Sequence, residues 1–295
     1  MKLMNRLSDR TMRTETEMMA LILDTSHEDQ RIRTVILNGS RANPNVTPDR
    51  FQDYDIVYIV TDLVPFLPNT NWIDRFGKRM ILQLPDLMGD PAPRADGGFA
   101  YLMQFMDGNR LDLTLIPVEH IKDMAEDSLS LLLMDKDNLF EPFPPPSEAS
   151  YFPMPPTAKA FDDCCNEFWW VCPYAAKALA RGEILYAKEV LDGILRQQLM
   201  TMLTWWFGIE TNFQRNPGKG GKHFCEVLPP QRWKLLMGTF STADIESTWQ
   251  ALFQMSALFR LTASDVSQVS GFNYPEEEDH HVSQYLEDIH RSATS

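Results

Sequence analysis

The sequence has few cysteines, four among 295 residues. Cys164, Cys165, Cys172 and Cys225 form no Cys-x-x-Cys pair, and no histidines accompany them at zinc-ligand spacing. Structural zinc sites need four such ligands, and disulfide frameworks are typical of small proteins in oxidising compartments. The pattern therefore argues against structural zinc and predicts free, reduced thiols.

Long hydrophobic runs are also missing. No stretch reaches the roughly 18 apolar residues that indicate a membrane-spanning helix. The first residues, which include Asp9, Arg10 and Arg13, lack the apolar region of a signal peptide. With 44% hydrophobic residues the chain can still bury a core large enough for two domains. We expect a cytoplasmic protein with no membrane partner, either a monomer or a small homo-oligomer.

Positive charge is scarce. The chain has 27 Lys and Arg residues against 41 Asp and Glu residues, for a net charge of −14. Proteins that bind nucleic acid approach a polyanion through basic patches, so we expect no nucleic-acid partner. An acidic cleft would attract a small cationic molecule instead, although many acidic proteins are acidic only for solubility.

Two apolar segments frame the most informative stretch of the sequence. The first ends at Gly39-Ser40, where bare backbone could approach a phosphate. The second begins with Asp53 and Asp55, whose spacing places both carboxylates on one face of a strand, about 7 Å apart at their α-carbons. Such a pair suits Mg²⁺ better than Zn²⁺. Asp-x-Asp can also be simple turn chemistry.

A third acid follows in a later strand. Asp107-Gly108-Asn109 is a hairpin signal, so Asp112 should lie on the second strand of that hairpin, on the same face as Thr114. Three acids and a small-residue turn make a stronger pattern than any member alone. The pattern predicts a metal site at Asp53, Asp55 and Asp112, and phosphate contacts at Gly39, Ser40 and Arg41.

Segment 141–156 contains seven prolines, and prolines exclude helix and central strand and stiffen a connector. We therefore predict domains at 1–140 and 157–295, separated by this connector. Apolar residues recur at near 3.6-residue intervals after Ala158, which predicts a helical bundle. A helix is also predicted over 72–82.

Six segments spread over the chain share the motifs of a known family: Met12 to Glu15, Asn38 to Asn43, Phe51 to Asp55, Leu111 to Leu115, Asp162 to Trp169 and Lys177 to Ala187. With them the chain resembles the bacterial aminoglycoside 6-adenylyltransferases, also called streptomycin adenylyltransferases. The order Gly-Ser, Asp-x-Asp and a later strand Asp is similar to the wider nucleotidyltransferase superfamily, to which DNA polymerase β belongs.

The resemblance implies an α+β fold, in which a polymerase β-like mixed sheet with flanking helices precedes a C-terminal helical bundle. It implies an enzyme that uses Mg²⁺ and transfers AMP from ATP to a hydroxyl of an aminoglycoside such as streptomycin, and so confers antibiotic resistance. It also implies that a lysine of the helical domain contacts the triphosphate, and Lys177 matches that position. Lys177 and Arg181 are one helical turn apart.

The helical domain also carries acidic candidates. Glu189, Asp192 and Arg196 share one helical face, which is either a solvated surface or a surface that binds the guanidinium and hydroxyl groups of an acceptor. Glu183 and Glu167 are further candidates for the acceptor site. Glu189 is our expected general base, with Asp112 as the alternative.

The same residues also fit other functions. The chain could modify another small-molecule or protein hydroxyl, or it could be a metal-dependent glycosyltransferase, since those enzymes also use Asp-x-Asp. A noncatalytic binding protein would be expected to lack one of the three acids. The loop 217–222 is rich in glycine and lysine but does not form a Walker motif. It either closes over phosphates or is a plain surface loop.

Overall fold

The computed structural model describes residues 12–67, 70–90 and 94–293. The chain forms two compact units, residues 1–150 and 151–295. The division falls inside the proline-rich segment 141–156. Asp9 and Arg10, which contributed to the interpretation of the N-terminus, lie outside the described residues. No helix in the described part of the chain has the length and apolar character needed to cross a membrane.

Among the described residues of the first unit, the first helix is Glu15–Glu28, and a capping box marks its start. The Thr14 hydroxyl accepts a hydrogen bond from the Glu17 backbone, and the Glu17 carboxylate accepts one from the Thr14 backbone, which completes a capping box. The helix buries Met18 and Ile22 in the core of this unit. The Tyr58 hydroxyl donates to the carbonyl of Ile22, at 2.6 Å, and so fixes the helix to the sheet.

A six-stranded mixed sheet forms the body of the first unit. Its spatial order is β3-β4-β5-β2-β1-β6, and every neighbouring pair is antiparallel except β2 and β5. The elements are α1 Glu15–Glu28, β1 Ile32–Asn38, β2 Tyr54–Val60, β3 Arg79–Gln83, β4 Phe99–Phe105, β5 Arg110–Pro117 and β6 Ser130–Asp135.

The predicted hairpin is confirmed. Strands β4 and β5 pair antiparallel, with Leu102 opposite Asp112. The Asp107 carboxylate accepts a 2.5 Å hydrogen bond from Arg13 Nε, which ties the turn to the start of α1. Because β5 lies beside β2 in the sheet, the hairpin delivers Asp112 to the strand that carries Asp55.

The helix predicted over 72–82 is wrong. The structure has a 3₁₀ helix over Thr70–Phe76, followed by strand β3. Phe76 is fully buried, and its carbonyl accepts a hydrogen bond from Arg13. Gly77, with φ of +120°, then takes the chain out of helical geometry. Residues 79–83 pair with β4 at the edge of the sheet, so tertiary pairing overrides the local helical pattern.

The second unit is helical, as predicted. Its core contains a stacked pair, Phe168 and Phe259, with ring centroids 3.8 Å apart, and Trp169 meets both rings edge-on. The elements are α2 Ala158–Ala180, α3 Ile184–Glu189, a π-helical segment Val190–Leu195, α4 Arg196–Glu210, α5 Pro230–Gly238, α6 Ile245–Ser270 and α7 Glu276–Ala293. The α+β class, a mixed sheet followed by helices, is thus confirmed.

Candidate active site

The Gly-Ser motif forms a tight turn at the end of β1. Gly39–Arg41 make a single 3₁₀ turn, and the first amides of such a turn have no carbonyl acceptor within it. The Gly39 amide instead donates to the carbonyl of Leu129, at 3.0 Å. Gly39 has a φ of +73°, and a Cβ atom there would lie 2.5 Å from Oδ2 of Asp55. Only glycine therefore lets the Asp55 carboxylate lie directly against the backbone of the turn.

Arg41 holds this turn against the start of β2. Its Nε and Nη2 donate to the carbonyls of Asp53 and Gln52, at 3.1 and 2.8 Å, and its guanidinium lies 3.8 Å from the centre of the Tyr54 ring. The side chain is only 7% exposed and also pairs with Glu15 at 3.2 Å. These contacts give Arg41 a positioning role, while its predicted contact with phosphate stays a prediction.

The structure brings the three predicted acids together. In the sheet, Asp55 lies between Asn38 of β1 and Asp112 of β5. Asp53 immediately precedes β2, two residues before Asp55, so both point to the same face. Strand alternation and the hairpin signal predicted the face on which each acid lies, and the strand order of the nucleotidyltransferase superfamily, which the chain resembles, implied that Asp112 lies near the other two acids.

Arg110 lies among these acids, a role that the sequence motifs did not predict. Its Nε and Nη2 donate to the two oxygens of Asp112, at 2.8 and 2.7 Å, and its Nε lies 3.6 Å from Oδ2 of Asp53. The signal was present in the sequence, since residues at i and i+2 of a strand share a face. Gln52 was also missed, and its side-chain amide donates to the carbonyl of Ser40.

The Asp55 carboxylate carries uncompensated charge. Burial raises its pKa to about 6, and repulsion from Asp112 and Asp53 adds to this effect. No described residue donates a hydrogen bond to this carboxylate or forms an ion pair with it. Burial also raises the pKa of Asp53, although Arg110 opposes the change. The cluster therefore holds more negative charge than its protein neighbours neutralise.

The donor set suits a hard divalent cation. Three carboxylates on adjacent segments offer oxygen ligands only, which Mg²⁺ prefers, and the raised pKa of Asp55 shows that extra positive charge would be stabilising. Within 12–67, 70–90 and 94–293, no three His, Cys, Asp or Glu side chains are already arranged as metal ligands. Arg110 pairs with two of the acids, and the Mg²⁺ assignment stays a prediction.

In the second unit, Lys177 is exposed near the end of α2. Its Nζ lies 5.9 Å from the centre of the Tyr285 ring. Lys177 lines a cavity of about 510 Å³ together with Trp170, Tyr174 and Glu278. Its predicted contact with the triphosphate stays a prediction.

The acidic candidates of the second unit differ in their surroundings. Asp192 lies in the π-helical segment and pairs with Lys188 and Arg196, at 2.7 and 2.9 Å. Glu183 and Glu189 are exposed, and neither forms an ion pair with a described residue. Asp192 would have to release a partner to bind an acceptor cation, whereas the other two carboxylates are available.

The chain was compared with known proteins. The family model described as "Streptomycin adenylyltransferase" matches residues 12–289. An aminoglycoside 6-adenylyltransferase of Bacillus subtilis (strain 168) is 41% identical over 283 residues, which cover 95% of this chain and 99% of that protein. The chain belongs to the streptomycin adenylyltransferase family. The identification made from the motifs is confirmed, and the chain is an enzyme of this family.

Further members of the streptomycin adenylyltransferase family are similar over most of their length. An aminoglycoside 6-adenylyltransferase of Campylobacter jejuni is 41% identical over 265 residues, covering 90% of this chain and 92% of that protein. The crystal structure of an aminoglycoside 6-adenyltransferase from Bacillus subtilis aligns with 94% of this chain and 99% of its own, at 38% identity and a TM-score of 0.46.

Proposed function

We propose that this enzyme transfers AMP from ATP to a hydroxyl of an aminoglycoside, and that streptomycin, at its 6-hydroxyl, is the acceptor. Family membership supports adenylyl transfer to an aminoglycoside. The observation that carries the proposal is the unpaired Asp55 carboxylate, which lies between Asn38 and Asp112 and against the Gly39 backbone. Carboxylates that can hold a cation beside a tight backbone turn suit phosphoryl transfer, since that chemistry depends on positioning and charge neutralisation.

The nucleotide would bind at the turn after β1. The Gly39 amide already donates to the carbonyl of Leu129, so the Ser40 amide would hold a phosphate oxygen, and Gly39 would let that oxygen approach the backbone. Arg41 would keep the turn fixed against β2 through its bonds to two carbonyls. Mg²⁺ held by Asp53, Asp55 and Asp112 would supply the positive charge that the leaving pyrophosphate needs. The exposed ammonium of Lys177 would neutralise further phosphate charge.

The acceptor hydroxyl must lose a proton to become a good nucleophile. Both oxygens of Asp112 already accept hydrogen bonds from Arg110, so the Arg110 guanidinium occupies the positions that an acceptor hydroxyl would need. Glu189 is exposed and forms no ion pair with a described residue. This difference supports Glu189 as the general base and Asp112 as part of the metal site.

The base assignment can be tested with two matched variants. We expect Glu189→Gln to lower kcat by at least about 100-fold, the usual contribution of a general base, while the KM for ATP stays near its original value. Glu210→Gln is the control, because Glu210 is an exposed acid at the end of α4 in the same unit and has no assigned role. Equal kcat values for the two variants would remove Glu189 from that role.

The acceptor would bind through acidic groups of the second unit. Streptomycin carries guanidinium groups, which pair strongly with carboxylates. Glu183 is available for such a contact, and Asp192 would become available by exchanging Lys188 or Arg196 for the drug. The net charge of −14 also favours the approach of a cation.

The proposal is tested by incubating the protein with Mg²⁺, ATP labelled at the α-phosphate, and a panel of aminoglycosides. We expect label to appear on streptomycin, one pyrophosphate to be released per label transferred, and mass spectrometry of fragments to locate AMP on the 6-hydroxyl. Asp55→Asn should abolish transfer, while Asp24→Asn, an exposed acid of α1, should retain it. Label on another acceptor only would overturn the streptomycin assignment, and full activity of Asp55→Asn would overturn the site.

A further inference from the structure

Arg110 contacts two acids that come from different segments of the sheet. Arg110 is the first residue of β5, two residues before Asp112, and it donates hydrogen bonds to both oxygens of that carboxylate. Its Nε also lies 3.6 Å from Asp53, which precedes β2. The Arg110 and Asp53 side chains are 40% and 39% exposed. The guanidinium is therefore partly open to solvent and can move without disrupting the core.

A second Arg-x-Asp pair provides a comparison within the same unit. Arg94 donates to both oxygens of Asp96 at 2.8 and 2.7 Å, the same distances as in the pair of Arg110 and Asp112. Asp96 also accepts from the Gly98 backbone and so completes a local turn. The Arg94 pair is thus local, whereas Arg110 extends to a carboxylate of another segment.

The location of Arg110 has a consequence for cation binding. Asp53 and Asp112 are two of the three carboxylates that we assign to Mg²⁺, and the guanidinium already forms ion pairs with both. A divalent cation on the same carboxylates would repel the guanidinium. The cation and Arg110 should therefore compete for the same oxygens.

We propose that Arg110 is an exchangeable counter-ion, which neutralises Asp53 and Asp112 when no divalent cation is bound and leaves Asp53 when the cation binds. This inference rests on the proposed function, because it takes the three acids as the cation site. Arg110 then sets the affinity of the free enzyme for the cation. The enzyme would bind the cation weakly alone, and more tightly together with ATP, whose phosphates could receive the released guanidinium.

The competition is tested by measuring Mn²⁺ binding with electron paramagnetic resonance, without nucleotide. We expect Arg110→Ala to bind Mn²⁺ about fivefold more tightly than the unmodified protein, the effect of removing one partly exposed ion pair. Arg110→Lys keeps the charge but loses the bidentate contact with Asp112. Its affinity for Mn²⁺ should lie between those of the unmodified protein and Arg110→Ala. Arg94→Ala is the matched control and should leave Mn²⁺ binding unchanged. Equal or weaker Mn²⁺ binding by Arg110→Ala would overturn the proposal.

A second measurement uses the unmodified protein and does not depend on a variant that folds. Addition of Mg²⁺ should shift the ¹⁵Nε resonance of Arg110 and leave that of Arg94 in place. If the ¹⁵Nε resonance of Arg110 does not shift in protein saturated with Mg²⁺, the proposal that Arg110 leaves Asp53 is wrong. If the protein bound neither Mn²⁺ nor Mg²⁺, even with ATP, the metal site of the proposed function would fail as well, so the two failures are distinguishable.

Discussion

Replacing Asp55 with asparagine should stabilise the metal-free protein while it abolishes transfer. Burial and the neighbouring acids raise the pKa of Asp55 from 3.8 to about 6. One pKa unit corresponds to about 1.4 kcal/mol, so the charged carboxylate costs the fold up to about 3 kcal/mol at neutral pH. Asparagine has nearly the same shape and carries no charge. We therefore expect Asp55→Asn to raise the free energy of unfolding at pH 7.5 by about 1–3 kcal/mol.

The gain in the free energy of unfolding should become smaller as the pH falls. A carboxyl group whose pKa is raised by folding destabilises the folded state fully above about pH 6, and the penalty disappears as the pH falls towards 3.8. Urea unfolding in EDTA should therefore show the largest difference between Asp55→Asn and the unmodified protein at pH 7.5. The difference should fall to about half at pH 5.

The control for this experiment is Asp24→Asn. Asp24 is an exposed residue of α1, and its replacement should change the free energy of unfolding by less than about 0.5 kcal/mol at either pH. A destabilised Asp55→Asn protein, or a gain that is the same at pH 7.5 and pH 5, would refute the electrostatic account of the cluster.

Three further predictions concern the turn and the cation. Gly39→Ala and Gly89→Ala both place alanine at a positive φ, of +73° and +66°. Gly89→Ala should lose about 1 kcal/mol in urea unfolding, and Gly39→Ala at least as much. Only Gly39→Ala should also lose transfer, because its Cβ would displace Asp55. Arg41→Ala should lower the free energy of unfolding by about 2 kcal/mol, through the loss of its bonds to two carbonyls, and raise the KM for ATP; a KM equal to that of the unmodified protein would show that the turn needs no support from Arg41. Mg²⁺ affinity, measured by titration calorimetry, should fall as the pH drops through about 6, because protonated Asp55 is a poor ligand; affinity that is constant from pH 7.5 to 5 would contradict this.

Local signals in the sequence predicted the face of the strands on which the acids lie, and the resemblance to the nucleotidyltransferase superfamily implied that these strands are close together. Strand alternation predicted that Asp53 and Asp55 share a face, and the Asp-Gly-Asn turn predicted the hairpin that carries Asp112. The capping box of Thr14 and Glu17 sets the start of α1 in the same local way. Each of these features depends on residues close together in the chain, whose geometry is set by backbone rules.

Features that depend on tertiary contacts were not predicted. The segment 79–83 reads as part of a helix, yet it pairs with β4. The π-helical segment Val190–Leu195 interrupts an otherwise regular helical pattern, and Asp192 lies within it. Arg110 and Arg41 gained their roles from partners that only the folded chain brings near. The energies of these contacts are not encoded in any short window of sequence.

The proposed function requires Asp53, Asp55 and Asp112 to bind a divalent cation beside the Gly39 turn. Anomalous scattering from crystals grown with Mn²⁺ and a nonhydrolysable ATP analogue would locate that cation. We expect a manganese peak in contact with oxygens of the three carboxylates and of the analogue's phosphates. A bound analogue with no manganese peak at these carboxylates, or with the peak at other residues, would contradict it.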